Sequence, residues 1–493
     1  MILLECIGHE YFNEVSDIIK LFYGKTKIIF HKNGDNSIQG ADLLLTSRII
    51  FDENLSSFTS SYINLNDKNN PGYSYTYTKN YQIQDKKEIK TALKISMYKL
   101  LSDVIGIKIP WGILTGIRPV KIVHQLLDIG ISYDEILNFF QKQYFVDIDR
   151  AQLTLNVAKV QRKYIETNDK NKISLYIGIP FCPTRCYYCS FTSNSIIKNK
   201  ELVKPYINSL ILEIKEVSKY LISKGIKAQS IYIGGGTPTS IEASELDILL
   251  NCINEYWKEY EEFTCEAGRP DTISVEKLKT MKEAGITRLS INPQTMDDNT
   301  LKMIGRKHNS AQIIEAYYIA RSLGFDNINM DIIIGLPGEG LEHIENTIDY
   351  INKLNPENVT MHTLAIKRAS VYNETDFNNM KLHENKAFKM MELARNRLEL
   401  NGYYPYYLYR QKYMADNLEN IGYCKKDKEC IYNIQIMEER QSIVAFGADA
   451  VTKVYFAEEN RLERQHNIKD LKLYIENIDA QIDKKIKLLS EVY

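Results

Sequence analysis

Six apolar stretches, each followed by a helical pattern, run in succession through the middle of this chain. Strands that alternate with helices predict a parallel sheet, because parallel neighbours need a long crossover between them. The stretches are almost continuously apolar, as expected for strands that are covered on both faces. The six predicted strands are ISLYIGI (173–179), SIYIGG (230–235), FTCEAG (263–268), TRLSIN (287–292), NINMDIIIGLP (327–337) and NVTMHTL (358–364).

Apolar residues at steps of three and four predict the intervening helices. A long helix carries Val203, Ile207, Leu210, Ile214, Val217 and Leu221 on one stripe, and Gly285 fits the end of the helix in VEKLKTMKEAG. Periodicity does not separate a doubly wound sheet from an open barrel. In either fold, the chemistry lies at the carboxyl ends of the strands.

Different patterns flank this region. The polar run ETNDKNK (166–172) is typical of a linker, and an aromatic segment, GYYPYYLYRQ (402–411), follows a predicted helix at 384–400. We therefore expect an N-terminal accessory domain at 1–165, a core domain at 173–370 and a smaller C-terminal domain at 371–493 that covers the substrate.

The charge balance and the hydropathy exclude several classes of protein. Sixty-two basic residues stand against 63 acidic ones, which argues against a dedicated nucleic-acid binder. No stretch approaches the ~18 consecutive apolar residues of a spanning helix. The start, MILLECIGHEYFNE, lacks the basic region of a signal peptide. Eight cysteines are too few for a disulfide scaffold, so we expect a cytoplasmic protein.

Three of the cysteines are close together, in IPFCPTRCYYCSF directly after the first predicted strand. Cys182, Cys186 and Cys189 form a C-x3-C-x2-C array that is able to wrap one compact metal centre. A cubane iron–sulfur cluster takes one ligand per iron, so three cysteines leave one iron open to a cofactor or substrate. A structural zinc, completed by a distant His or Cys, is the alternative at this point.

A run of glycines follows the second predicted strand, in IYIGGGTPT. Glycines permit the close approach of a ligand to the backbone. The run is neither a phosphate-binding loop, because no Gly-Lys-Ser/Thr follows, nor the dinucleotide motif. A plain tight turn is the alternative, and the place of the run one unit after the cysteine loop favours a role in binding.

Together these motifs resemble the radical S-adenosylmethionine superfamily. The resemblance implies a partial (βα)6 barrel, within an α/β fold that also has an N-terminal α/β domain and a smaller C-terminal domain. It also implies that the three cysteines hold a [4Fe–4S] cluster, whose open iron binds S-adenosylmethionine. Reductive cleavage of that molecule gives a 5′-deoxyadenosyl radical, so the cofactor supplies the reactive group.

Within the superfamily, the chain resembles the oxygen-independent coproporphyrinogen III oxidases, and its segments at 111–121, 402–411 and 432–443 resemble the HemZ-type coproporphyrinogen dehydrogenases. The positions that match the motifs of the group imply contacts with a first and a second S-adenosylmethionine. Contacts with the first are implied for Tyr176, Gly235 and Glu266, and contacts with the second for Tyr188, Gly236, Thr237, Gln294, Arg306 and Asp331.

The resemblance implies oxidative decarboxylation of coproporphyrinogen III to protoporphyrinogen IX in haem synthesis. It implies a monomer that takes electrons from a separate donor. Phe191 and Gly178 replace a cysteine and a histidine of the oxidases, and phenylalanine at 191 is shared with a haem-binding chaperone branch, which is the alternative function. Arg288 and Arg410 are candidates for holding the propionates of the substrate.

Several aromatic and titratable residues have a structural interpretation beside the functional one. The tyrosines at 403–409 are typical of packing, and His308 and His362 are typical of structural histidines that are also able to reach a metal or a haem. Glu266, Arg306 and Asp331, taken singly, also fit charges on a solvated rim. Their spacing beside the cysteine loop favours the functional interpretation.

Overall fold

The computed structural model describes most of the chain, in two compact units, Met1–Leu155 and Asn156–Tyr493. In the described part, no helix has both the length and the apolar character that crossing a bilayer requires. The described residues are 1–24, 26–31, 40–52, 54–67, 72–80, 85–116, 118–166, 169–190, 193–365, 386–411 and 414–493.

The first unit contains a five-stranded mixed sheet in the order β2-β1-β3-β4-β5. Its strands are β1 (Ile2–Ile7), β2 (Ile28–His31), β3 (Leu43–Asp52), β4 (Leu55–Asn64) and β5 (Tyr73–Lys79). The longest helix of this unit among the described residues is Lys86–Ile105. It begins after Asp85, whose carboxylate accepts hydrogen bonds from the main-chain N–H groups of Lys87 and Glu88, and it ends at the left-handed Gly106. The other helices are Phe12–Tyr23, Pro119–Asp128, Tyr133–Tyr144 and Ile148–Ile165. The boundary between the two units falls within the last of these helices.

The second unit contains an eleven-stranded sheet with all six predicted strands in it. Each of these six strands pairs in parallel with the next of the six along the chain, which confirms the partial (βα)6 barrel. Two short strands, β7 (Phe181–Cys182) and β8 (Asn194–Ser195), flank the cysteine loop. The barrel strands are β6 (Lys172–Ile179), β9 (Lys227–Gly235), β10 (Glu262–Glu266), β11 (Arg288–Ser290), β12 (Ile328–Ile334) and β13 (Asn358–Thr363).

The predicted helices of this unit are also present, with local signals at their ends. The helix Ser310–Ser322 begins at Asn309, which forms a capping box with Gln312. The helix Val275–Glu283 is followed by Gly285 with a φ of 84°, a conformation that glycine adopts without strain. The remaining helices are Lys200–Ser223, Ala243–Tyr256, Asp298–Met303, Leu341–Leu354, Lys386–Leu400, Ile431–Glu438, Leu471–Glu476 and Ile478–Leu489.

The C-terminal region extends the barrel sheet at both of its edges. On one side β15 (Asn420–Cys424) pairs antiparallel with β13, and β14 (Tyr404–Tyr409) pairs with β15. On the other side β16 (Ile443–Phe446) runs parallel to β6, followed by β17 (Val451–Phe456) and β18 (Arg461–His466). The proposed domain limits near 165 and 370 stay a prediction, because residues 167–168 and 366–385 lie outside the described residues.

Candidate active site

A cavity of about 470 Å³ opens at the carboxyl ends of the barrel strands. Its volume is within the usual range of ligand sites, which is roughly 300–1,000 Å³. The structure brings together on its wall every residue that the resemblance implies as a cluster ligand or as a contact of S-adenosylmethionine. These residues are Cys182, Cys186 and Cys189, with Tyr176, Gly235 and Glu266, and with Tyr188, Gly236, Thr237, Gln294, Arg306 and Asp331.

The cysteine loop is folded back on itself by main-chain hydrogen bonds. Cys189 N–H donates to the carbonyl of Cys186 at 3.1 Å, and Tyr187 N–H donates to the carbonyl of Ile304 at 3.1 Å. The sulfur of Cys182 lies 3.5 Å from the hydroxyl of Thr237. The pKa of Cys182 is raised to about 11, mainly by burial. Cys186 and Cys189 contribute to this rise, whereas the Thr237 hydroxyl and Arg269 act in the opposite direction. A metal centre that binds this thiol displaces its proton.

The donor set fits the predicted cluster better than a single ion. Among the described residues, no group of three His, Cys, Asp or Glu side chains lies close enough to hold one metal ion. The three thiolates of a cubane bind three different irons, so they need a common cavity rather than a common ion. A Cβ at Gly236 would lie 2.5 Å from the carbonyl oxygen of Phe181 and 3.0 Å from the sulfur of Cys182. The backbone therefore approaches Cys182 at a distance that only glycine permits.

Glu266 lies at the end of β10 and contacts the neighbouring strand. The hydroxyl of Tyr232 donates a hydrogen bond of 2.5 Å to its Oε1. A Cβ at Gly234 would lie 2.9 Å from the ring of Tyr232 and 3.2 Å from Cδ of Glu266, so glycine is needed here as well. Burial raises the pKa of Glu266 to about 7, with Tyr232 and His362 acting in the opposite direction and Asp331 adding to the increase.

Four of the residues implied for the second S-adenosylmethionine form two hydrogen-bonded pairs, Arg306 with Tyr188 and Gln294 with Asp331. The guanidinium of Arg306 donates to the hydroxyl of Tyr188 at 2.9 Å and to the carbonyl of Gly268 at 3.0 Å. Gln294 has a φ of 68°, unusual for a residue with a side chain, and its N–H donates to the carbonyl of Asp331 at 2.8 Å. Within the described part of the chain, its buried Oε1 has no hydrogen-bond partner. A strained backbone that presents an unpaired acceptor to a cavity is typical of a binding position.

Asp331 is the other carboxylate among the described residues of this wall. Asn329 donates to its Oδ1 at 2.8 Å, and Nε2 of His362 lies 3.6 Å from its Oδ2. Burial acts to raise the pKa of Asp331, but the hydrogen bond and charge of His362 outweigh it and hold that pKa below its usual value. Asp331 therefore stays ionised at neutral pH, in contrast to Glu266.

The structure adds aromatic residues to the wall that sequence reasoning did not assign to it. The rings of Tyr232 and Tyr432 stack with their centroids 4.4 Å apart, and Tyr407 and Tyr409, which were predicted to be packing residues, also line the cavity. His362 does too, whereas His308 pairs with Asp271. Tyr176 of β6 lies directly opposite Tyr232 of β9. Because side chains alternate between the two faces of a strand, counting every second position along β9 was the signal that could have placed Tyr232 on the face of Tyr176.

The two arginines proposed to hold carboxylates are engaged elsewhere. Arg288 is buried and ion-paired with Glu262 at 3.1 Å, and Arg410 donates to the carbonyl of Asn417 at 2.8 Å. Neither Arg288 nor Arg410 is among the described residues that line the cavity. The arginines on its wall are Arg185, Arg269 and Arg306. Phe191 lies outside the described residues. The carbonyl of Gly178 accepts a hydrogen bond of 2.6 Å from the hydroxyl of Tyr206.

Comparison with known proteins places the site in a family. The sequence model of the radical SAM superfamily matches residues 176–351. The oxygen-independent coproporphyrinogen-III oxidase-like protein HemZ of Bacillus subtilis is 40% identical over 414 residues, which are 83% of this chain and 82% of HemZ. The chain belongs to the family of oxygen-independent coproporphyrinogen-III oxidase-like proteins. As a radical SAM protein of this family, it uses a [4Fe–4S] cluster and S-adenosylmethionine.

Two further relatives extend the comparison. The heme chaperone HemW of Bacillus subtilis is 36% identical over 286 residues, which are 56% of this oxidase-like chain and 70% of HemW. The structure of coproporphyrinogen III oxidase (HemN) from Escherichia coli, a radical SAM enzyme, covers 66% of this chain and 73% of its own, with a TM-score of 0.50 and 21% identity. At that identity, the likeness to HemN supports the fold alone.

Proposed function

We propose that this chain is an oxygen-independent coproporphyrinogen III oxidase, which converts coproporphyrinogen III to protoporphyrinogen IX by oxidative decarboxylation. The observation that supports it most is the convergence of the cysteine loop and both groups of implied contacts on a single cavity. The 40% identity to HemZ, whose name gives an oxidase-like protein, points in the same direction. We further propose a cytoplasmic monomer that receives electrons from a separate donor.

In this proposal Cys182, Cys186 and Cys189 hold the cluster. Tyr176, Gly235 and Glu266 contact the first S-adenosylmethionine, and a second molecule is contacted by Tyr188, Gly236, Thr237, Gln294, Arg306 and Asp331. When bound, the cluster and S-adenosylmethionine supply one-electron chemistry that removes a hydrogen atom from an unactivated carbon. After the hydrogen atom is removed, conversion of one propionate to a vinyl group releases carbon dioxide and one electron, which passes to a separate one-electron acceptor. The conversion requires no general base.

The remaining walls of the cavity suit a large, acidic, ring-containing substrate. The stacked Tyr232 and Tyr432 offer aromatic surface, which packs well against pyrrole rings. Arg185 and Arg306 place positive charge on the same cavity, as recognition of propionate groups requires. The apolar side chains of Ile436 and Met437 complete the wall and help to exclude water from the reacting centre.

The raised pKa of Glu266 makes binding of the cofactor depend on pH. Below pH 7 the carboxyl group is mostly neutral, and above it the carboxylate attracts the positively charged S-adenosylmethionine. We expect the affinity, measured anaerobically by calorimetry, to rise about five- to tenfold from pH 6 to pH 8, because hydrogen bonds to charged groups are ~1 kcal/mol stronger than neutral ones. Glu266→Gln should remove this rise, leaving only the titration of the ligand itself. Equal pH dependence in both proteins would argue against the proposed role of Glu266.

Anaerobic turnover tests the proposed function directly. The protein is reconstituted with iron and sulfide and is given a reductant, S-adenosylmethionine and coproporphyrinogen III. We expect release of 5′-deoxyadenosine together with protoporphyrinogen IX, and neither product in the absence of S-adenosylmethionine. Deoxyadenosine that forms without any decarboxylated porphyrinogen would contradict the oxidase activity.

A haem-binding chaperone is the second candidate function. It is supported by the 36% identity to HemW and by the phenylalanine at position 191. In this case we expect haem to bind stoichiometrically to the protein, while deoxyadenosine appears only in traces that coproporphyrinogen III does not increase. Titration of the anaerobic protein with haem, followed by its absorption spectrum, separates the two functions.

A further inference from the structure

Arg269 is a buried arginine that contacts the cysteine loop from the loop after β10. It is 3% exposed, and one nitrogen of its guanidinium, Nη1, donates to both oxygen atoms of Thr184. The distance is 2.9 Å to the carbonyl and 2.8 Å to the hydroxyl. Thr184 lies between Cys182 and Cys186, so these bonds act on the segment that connects two of the proposed cluster ligands.

The orientation of Arg269 is itself fixed by a second set of contacts. Asp271 accepts hydrogen bonds from Nε at 3.1 Å and from Nη2 at 2.8 Å, a bidentate pair that holds the plane of the guanidinium. Nδ1 of His308 lies 3.3 Å from Oδ1 of Asp271, the oxygen that also accepts from Nε of Arg269. Burial acts to raise the pKa of Asp271, but His308 and Arg269 outweigh it and keep that pKa well below its usual value. The carboxylate of Asp271 therefore stays ionised at neutral pH.

The cysteine loop is thus hydrogen-bonded to the segment after β10, whose Arg269 is itself held by Asp271. The hydroxyl of Thr184 also donates to the carbonyl of Gly305 at 3.4 Å, and Arg306 contacts Tyr188 on the far side of the loop. These bonds are made by side chains and the backbone alone. A loop that is held in this way loses little conformational entropy when three of its side chains bind a cluster.

We propose that Arg269 is a positioning residue that preorganises the cysteine loop for the cluster and sets a positive charge beside it. The proposal rests on the assignment of Cys182, Cys186 and Cys189 as cluster ligands. The guanidinium has two separable effects. Its hydrogen bonds restrict the loop, and its charge favours the reduced, more negative state of a cluster.

Three variants separate these effects. Arg269→Gln loses the charge and the bidentate fork, and Arg269→Lys keeps the charge. Thr184→Val removes the two hydrogen bonds of the Thr184 hydroxyl, with Arg269 and with Gly305, and leaves the Arg269–Asp271 pair intact. Arg321→Gln is the control, because Arg321 also forms an ion pair with a carboxylate and is not among the described residues of the cavity wall. Its Nη2 donates to both oxygens of Glu357, at 3.0 and 2.8 Å. Each protein is studied without cluster, by the alkylation rates of the three thiols, and after reconstitution, by iron content and reduction potential.

In the cluster-free protein, we expect Arg269→Gln to increase the alkylation rates of the three thiols about tenfold or more. Mutation of residues that support metal ligands typically changes metal affinity or activity by ~10–100-fold, and the expected change in alkylation rate is the lower end of that range. Arg269→Lys and Thr184→Val should give smaller increases, and Arg321→Gln should give none. After reconstitution, the reduction potential should fall in Arg269→Gln and should be restored in Arg269→Lys.

Wild-type alkylation rates and an unchanged potential in Arg269→Gln would overturn the proposal. If that variant fails to fold, Arg269→Lys and Thr184→Val decide, and wild-type rates in both would overturn it equally. If the wild-type protein itself takes up no cluster, the proposed function fails. The alkylation rates then still show whether Arg269 restricts the loop.

Discussion

Replacement of Cys186 by serine is expected to abolish both cluster binding and the cleavage of S-adenosylmethionine. Cys186 is 8% exposed and is the middle cysteine of the loop that faces the cavity. Serine is a poor ligand for iron, so the cluster would keep only two protein ligands in place of three. We expect iron content to fall close to background. The rate of deoxyadenosine formation should fall by more than the ~10–100-fold that is typical for loss of a residue that only supports a ligand.

Cys252→Ser is the matched control for this experiment. Cys252 is equally buried, at 8% exposure, but it lies on the helix Ala243–Tyr256 and is not on the wall of the cavity. Iron content, measured per chain after anaerobic reconstitution, should remain at the wild-type value in Cys252→Ser. Wild-type iron content and cleavage in Cys186→Ser would show that this cysteine is not a ligand.

Replacement of Lys485 by methionine is expected to destabilise the second unit by about 3–5 kcal/mol, the usual result of leaving a buried charge without its partner. Lys485 and Glu213 have fully buried side chains, and Nζ of Lys485 lies 2.5 Å from Oε1 of Glu213. The carboxylate also accepts hydrogen bonds from the hydroxyl of Tyr474 at 2.7 Å and from Gly447 N–H at 2.8 Å. These bonds connect the C-terminal helix Ile478–Leu489 to the barrel.

Equilibrium unfolding in urea measures this loss. The double variant Glu213→Gln/Lys485→Met should recover part of the stability, because it leaves a neutral amide where the single variant leaves a charge. Lys219→Met, which removes an exposed partner of Glu216, should leave the free energy of unfolding unchanged within error. A loss in Lys485→Met no greater than in Lys219→Met would contradict the account of this pair.

The barrel strands were predictable because their signal is local. Near-continuous apolar runs such as ISLYIGI and NVTMHTL mark strands that are covered on both faces, and both are found as β6 and β13. The cavity residues were predictable for a related reason. In a parallel barrel, residues that follow successive strands converge at one end, so Cys182, Glu266 and Asp331 were expected to lie together before their distances were known.

The contributions of the C-terminal region were not predictable in the same way. β16 pairs with β6 although more than two hundred residues separate them, and no periodicity encodes such a partner. The sequence pattern also did not identify the partners of Arg288. This residue was proposed as a substrate contact, but it forms an ion pair with Glu262. Its other hydrogen-bond acceptors include the carbonyl of Glu429, far along the chain, which the sequence pattern does not place beside it.

Electron paramagnetic resonance of the reduced, oxygen-free protein tests the central claim most directly, namely that three neighbouring cysteines hold a cubane with one open iron. We predict about four irons per chain and the signal of a reduced [4Fe–4S] cluster, which changes when S-adenosylmethionine is added because the molecule binds the open iron. A preparation that contains only zinc and shows no paramagnetic signal after reduction would contradict the claim.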